Sequence, residues 1–288
     1  MSNKNSKILI NTLLIRKNIK LSNINDLINL KDKNVCIVSY ALYMKDKKLG
    51  NYIDTFDDIV RINIGIKSVN IEDFGTKTTI GSFSVSKSKI HSIEKTFNKN
   101  TNILDILDNL NIKYFVGLSI KVHEINYFQN YFFKIKNSVK QILISDYNKY
   151  VFGITSGLKT IIYILQCKPK KLYICGFDFS INIYEDYKKI HVNQSTQPDI
   201  IINNVIQKKR YEDVRENWHS SDFELYIFKK LYMKYNFEVD DCLKKIINDL
   251  DITQSDNNIF KATFENINVN YIYIDKFNYI CNLIDNNI

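Results

Sequence analysis

Glycine and proline are scarce in this sequence, 8 and 2 among 288 residues. Collagen-like and Pro/Gly-rich disordered chains are excluded, and few turns carry their usual breakers. The five cysteines, Cys36, Cys167, Cys175, Cys242 and Cys281, form no CxxC pair and are odd in number. Neither a zinc knuckle nor a secreted disulfide framework is written there, so free thiols in a reducing compartment are expected. No apolar run approaches the roughly 20 residues of a membrane span. The opening MSNKNSKILINTLLIRKNIKL lacks the apolar length and the cleavage site of a secretory signal, so a soluble, cytoplasmic chain is expected. No GxGxxG and no GxxxxGKS/T occurs, and the dinucleotide and P-loop readings lose their main support.

What is present is an ordinary globular balance, 45% apolar and 25% charged residues, with a net charge of +9. That excess favours anionic partners such as nucleotides or acidic sugars. Its lysines are scattered singly and in pairs, without an aromatic-and-basic recognition motif, so nucleic acid is not the expected partner.

Residues 1–33 are polar and weakly patterned and read as an N-terminal extension. From residue 34 to 288 the pattern reads as one α/β domain. Short apolar runs at 34–40 (NVCIVSY), 58–63, 113–118, 141–145, 171–176 and 270–274 have the composition of strands buried on both faces. Between 145 and 171 lies an amphipathic stretch, 157–166, with Leu158, Ile161, Ile162 and Leu165 on one side. Strand, helix and strand at that spacing predict a βαβ unit with parallel strands.

Three places carry candidate chemistry. Thr155-Ser156-Gly157 precedes the predicted helix. A helix start with a Ser/Thr cap and a glycine suits a phosphate, though it equally suits a plain cap and turn. In Trp218-His219-Ser220-Ser221-Asp222-Phe223-Glu224, the pair Ser221 and Glu224 has capping-box spacing, and Phe223, Ile227, Leu231 and Tyr235 recur every four residues. A helix therefore begins near Ser221. His219 lies just before it, where the positive helix end disfavours the imidazolium and leaves a neutral ring able to take a proton. The plainer alternative makes Glu224 a cap and His219 a surface residue. Third, Tyr184, Tyr187 and His191 follow Gly176-Phe177-Asp178-Phe179, beyond the end of the 171–176 run, where ligands of α/β sheets bind. Asp249-Leu250-Asp251 is a DxD in a stretch that reads as a polar loop after a helix, and no metal is expected there.

These segments together resemble the eukaryotic-type sialyltransferase family. Residues 50–63 (GNYIDTFDDIVRIN) with 75–79 (GTKTT) are similar to its large sialylmotif, 154–179 (ITSGLKTIIYILQCKPKKLYICGFDF) to its small one, and 219–224 (HSSDFE) to its very-small one, in the family's order. The resemblance extends to bacterial single-domain sialyltransferases. It implies a GT-A-like, Rossmann-like fold with a mainly parallel central sheet flanked by helices. It also implies inverting, metal-independent transfer of sialic acid, or a similar keto sugar acid, from a CMP-sugar donor to a glycan hydroxyl, as in protein glycosylation. His219 would be the general base and Glu224 its support. Ser39, Tyr40, Asn63, Thr155, Ser156, Gly157, Gly176 and Phe177 would line the donor site, and Tyr184 or His191 would steady the departing phosphate. No cofactor is implied, because the CMP-sugar is itself a substrate. Cys36 and Cys167 lie close to the positions of a family disulfide. Where the family has Gly-Asn-Ser after the first strand, this chain has Ser39-Tyr40-Ala41. That departure keeps two alternatives in view, a catalytically degenerate CMP- or glycan-binding module and a CMP-Kdo-type transferase.

Overall fold

The computed structural model describes residues 28–63, 70–84, 112–118, 140–144, 154–177, 179, 221–255, 259–264 and 267–286. Seven strands form the main sheet: β1 (Asn34–Val38), β2 (Asp58–Ile62), β3 (Ile80–Ser84), β4 (Tyr114–Leu118), β5 (Lys140–Ile144), β6 (Lys171–Cys175) and β7 (Glu238–Val239). Their order is β5-β4-β3-β2-β1-β6-β7, and every neighbouring pair is parallel. The domain is thus α/β, as the apolar runs predict, with the parallel, Rossmann-like sheet that the resemblance implies. The order grows outward from β1 in both directions and reverses between β1 and β6.

Burial on both faces explains the unbroken apolar runs. In β1, Val35 and Ile37 enter the larger core, while Cys36 and Val38 enter a smaller one with Ile53, Phe56 and Tyr173. The described residues include six α-helices, α1 (Gly50–Asp54), α2 (Ile71–Phe74), α3 (Ser156–Gln166), α4 (Ser221–Tyr235), α5 (Asp241–Asp249) and α6 (Ile274–Asn286), and a short 3-10 helix, Leu42–Met44. Helix α3 packs on β2 and β3 and is touched by α6. It was expected to bury one side, yet every residue from Leu158 to Gln166 is buried, because it is enclosed between sheet and helix.

Several expectations are corrected. The strands flanking α3 are parallel but not neighbours, since β5 lies at the far edge and β6 pairs with β1 and β7. Local pattern predicts a strand but not its partner. All but the last residue of the 270–274 run falls in β10 (Ile267–Tyr273), which with β8 (Asp251–Ser255) and β9 (Ile259–Phe264) makes a separate antiparallel sheet. Ile28 and Leu30, assigned to the extension, are each 1% exposed within the larger core, so packing begins before residue 34. All five thiols are free, and Cys36 and Cys167 sit in different core clusters, which leaves no room for the bridge that the resemblance suggests.

Glycine scarcity shows in the backbone. Among the described residues Asp32, Asp46, Lys48, Asn63, Lys168, Phe179 and Asn236 hold positive φ, against only Gly75 and Gly176. Helix α3 ends through Lys168 (φ 48°) followed by Pro169, and α4 through Asn236 (φ 49°), left-handed stops in a place usually given to glycine.

Candidate functional site

In an open parallel sheet, ligands bind outside the carboxyl ends of the strands where the order reverses. Here that crevice lies beyond β1 and β6, at Ser39-Tyr40-Ala41 and Gly176-Phe177. The ladder continues past both strands, with the Ser39 N–H on the Cys175 carbonyl and the Ala41 N–H on the Gly176 carbonyl, each at 3.0 Å. Gly176 has φ +74°, and a Cβ there would stand 2.3 Å from the Ser39 carbonyl oxygen. Glycine alone lets the two segments lie this close. Tyr40 is 41% exposed on this edge.

The start of α3 joins the same edge. Thr155 is its N-cap, extended in backbone, with Oγ1 accepting from the Leu158 N–H at 3.4 Å. A Cβ on Gly157 would meet the Phe177 ring at 2.9 Å, so the bare glycine lets α3 begin against the end of β6. Glu224, on the first turn of α4 and 2% exposed, reaches across to this start. Its Oε1 accepts the Thr155 N–H at 2.5 Å, and its Oε2 accepts the Thr155 hydroxyl at 2.6 Å. A buried carboxylate thus rests on the positive end of α3. The remaining first-turn N–H groups, on Ser156 and Gly157, carry no hydrogen bond among the described residues. Helix α4 begins at Ser221, as expected, and both carboxylate oxygens of Glu224 turn to Thr155. The Thr155 hydroxyl proton is committed to Glu224.

The stretch resembling the large motif is folded on itself by two buried or half-buried ions. Asp54 accepts from the Thr76 N–H at 2.8 Å, the Thr76 hydroxyl at 2.9 Å and the Lys77 N–H at 3.0 Å. Burial alone would raise its carboxyl. These donors and the Arg61 charge overcome that and hold it below the usual range. Arg61, 1% exposed, donates Nε to the Lys77 carbonyl at 3.1 Å and the Thr78 hydroxyl at 3.0 Å, and Nη2 to the Phe74 carbonyl at 2.6 Å. Asn63, at the carboxyl end of β2 with φ 49°, turns its amide oxygen to the Ser84 N–H at 2.9 Å. It belongs to the site edge, but this bond ties β2 to β3.

One group here escaped the sequence reading. Asp240 follows β7 and is 5% exposed. Its Oδ1 caps α5 by accepting the Leu243 N–H at 2.9 Å, and its Oδ2 accepts the Gly176 N–H at 3.0 Å and the Tyr43 hydroxyl at 2.8 Å. Burial raises the Asp240 carboxyl above its ordinary value, against the pull of these donors. Burial, then the neighbouring Asp240 charge, pushes the Tyr43 phenol well up, so it stays a donor at neutral pH. An Asp before the amphipathic run DCLKKII is an N-cap signal and makes Asp240 findable in principle. Nothing in the sequence marks Tyr43.

The edge therefore assembles Ser39, Tyr40, Thr155, Ser156, Gly157, Gly176, Phe177 and Glu224, with Asn63 at the end of β2, the strand next to β1. His219, Tyr184, Tyr187 and His191 lie outside the described residues. Asp249-Leu250-Asp251 straddles the end of α5 and the start of β8, with Leu250 buried rather than looped out. Among the described residues no three of His, Cys, Asp and Glu converge as metal ligands. No described helix is long and apolar enough to cross a membrane. The fold defines the class, an α/β protein with a switch-point crevice. Beyond the class, the chain matches no protein-family profile and no curated protein.

Proposed function

We propose that this crevice is the donor site of a sialyltransferase-like glycosyltransferase using a CMP-activated keto sugar acid. The observation that carries the reading is the Glu224–Thr155 contact. It joins the segments resembling the small and very-small sialylmotifs, 69 residues apart, at a sheet edge suited to a nucleotide. The Ser156 and Gly157 amides at the start of α3 suit a single phosphodiester charge. His219, five residues before Glu224, removes the acceptor hydroxyl's proton as that oxygen attacks the anomeric carbon. The bond from that carbon to the phosphate oxygen breaks on the opposite face, and CMP departs with the electron pair. The acceptor is a glycan, no metal enters the scheme, and the chain works in the cytoplasm.

The test is CMP binding by calorimetry in EDTA, followed by hydrolysis of CMP-sialic acid. Binding without metal is expected, with slow hydrolysis that falls about 10²–10⁴-fold in His219→Ala, the usual worth of a general base. Full turnover in that variant removes His219 from the role. Ser39-Tyr40-Ala41 favours a second reading, a module that holds CMP or a glycan without transfer. CMP binding with no hydrolysis of either CMP-sialic acid or CMP-Kdo would select it.

A further inference from the structure

We infer that Asp240, outside every recognisable motif, is the residue that sets the width of the donor crevice, acting through Gly176. Its Oδ2 is the acceptor for the Gly176 N–H and the Tyr43 hydroxyl, at 3.0 and 2.8 Å. Tyr43 lies three residues beyond Tyr40 on the β1 side, and its hydroxyl is also 3.2 Å from the Phe177 carbonyl. One carboxylate oxygen thus binds both walls of the switch point.

From Gly176 the restraint passes in two directions. Toward β1, the Gly176 carbonyl takes the Ala41 N–H at 3.0 Å, and its α-carbon stands against the Ser39 carbonyl. Toward α3, the next residue, Phe177, backs onto Gly157 at the helix start. Moving Gly176 moves both the Ser39-Tyr40 wall and the α3 amides. Asp240 is itself anchored, by the Leu243 N–H on Oδ1 and by its own N–H on the Ile174 carbonyl at 3.2 Å. It is 5% exposed, acts through Gly176 and Tyr43, and is a positioning residue.

The inference rests on reading this edge as a CMP-sugar pocket, so the wild type is measured first. Failure of the wild type to bind CMP or to hydrolyse CMP-sialic acid overturns that reading, and this inference with it. Given a working wild type, Asp240→Asn keeps the size of the side chain and an oxygen for capping α5. It puts an amide nitrogen where one of the donors needs an acceptor. The expected result is a donor KM raised about tenfold with kcat within about twofold, because a hydrogen bond to a charged acceptor that shapes only the pocket is lost. Ile246→Ala, in the buried face of α5, serves as the control for simple loss of stability, and its KM should stay at the wild-type value. An unchanged KM in Asp240→Asn, or an equal rise in Ile246→Ala, overturns the inference while leaving the pocket reading intact. Should Asp240→Asn fail to fold, Tyr43→Phe decides. It keeps the Gly176 bond, and about a threefold rise in KM supports the tie while no rise refutes it.

Discussion

The two ends of β6 and β7 answer helix charge in opposite ways. At the carboxyl ends, two buried carboxylates cover two helix starts, Glu224 on α3 and Asp240 on α5. At the amino ends, the last turns of α3, α4 and α6 converge on a cavity of about 480 Å³, rimmed by Lys168, Lys170, Lys171, Glu238 and Asp285. There Lys171 pairs with Glu238 at 2.9 Å and Lys234 with Asp285 at 2.6 Å, all four side chains at least 40% exposed. Lysines beside helix C-termini complement the negative dipole ends. Part of the +9 excess therefore serves helix ends and carries no argument for nucleic acid. The difference lies in exposure. The basic end is wet, so solvent and salt screen each pair there and leave it little weight in stability. At the acidic end the carboxylates are buried and shared among several donors, and two α3 amides beside them carry no hydrogen bond among the described residues.

The hardest test of that contrast is Gly176→Ala. A methyl group against the Ser39 carbonyl, together with a left-handed φ, should destabilise by about 3 kcal/mol in urea denaturation. A loss below about 1 kcal/mol would show that the carboxyl edge is looser than these contacts require. Next comes Thr155→Val, which leaves the buried Glu224 oxygen without its hydroxyl donor and should cost about 2 kcal/mol by the same measurement. If it proves neutral, the buried end is no stronger than the exposed one.

Titration separates two buried or half-buried acids further. The folded-state value of Asp54 lies below its unfolded value, so its contribution is full above about pH 4 and is lost as pH falls through the lowered value. Asp240 is raised, so its ionisation opposes folding, and stability is regained as pH falls from neutral through that raised value. Unfolding curves between pH 7 and 3 should therefore show a steeper acid loss in Asp240→Asn than in wild type, and a shallower one in Asp54→Asn. Equal slopes in all three would break the distinction. The smallest effect is expected at the amino end. Lys168→Gly relieves a left-handed lysine and should stabilise by about 0.5–1 kcal/mol in thermal unfolding. A loss instead would mean that the Lys168 charge at the end of α3 outweighs the backbone strain.

How much of this was written in the sequence follows from the range of the forces involved. Strands such as β1 and β6 announce themselves because burial on both faces demands unbroken apolar runs, and α4 does so through Phe223, Ile227, Leu231 and Tyr235. The Thr155 cap and the Ser221 start are local hydrogen-bonding signals and were equally legible. Strand β3 was not. IGSFS lacks an unbroken apolar run, and its Ser82 finds the Thr160 hydroxyl, at 2.7 Å, only across 78 residues. Strand order was invisible for the same reason, and so was the Asp240–Tyr43 pair, separated by 197 residues. The capping-box spacing of Glu224 was visible, yet its reach to Thr155 was not, because spacing reports what a side chain does within its own helix. Turns were obscured by composition, since Asp32, Lys168 and Asn236 took positions where glycine would have marked them.

The reversal of strand order at β1 also sets a schedule for synthesis. As the chain leaves the ribosome, β1 can pair with β2 almost at once. Its other side waits for β6, roughly 130 residues later, or on the order of ten seconds at typical elongation rates. Through that interval a strand made of Val35, Cys36, Ile37 and Val38 presents an open, sticky margin to every other nascent chain. The feature that creates the crevice in the finished protein is the one through which an unfinished copy is most exposed to aggregation.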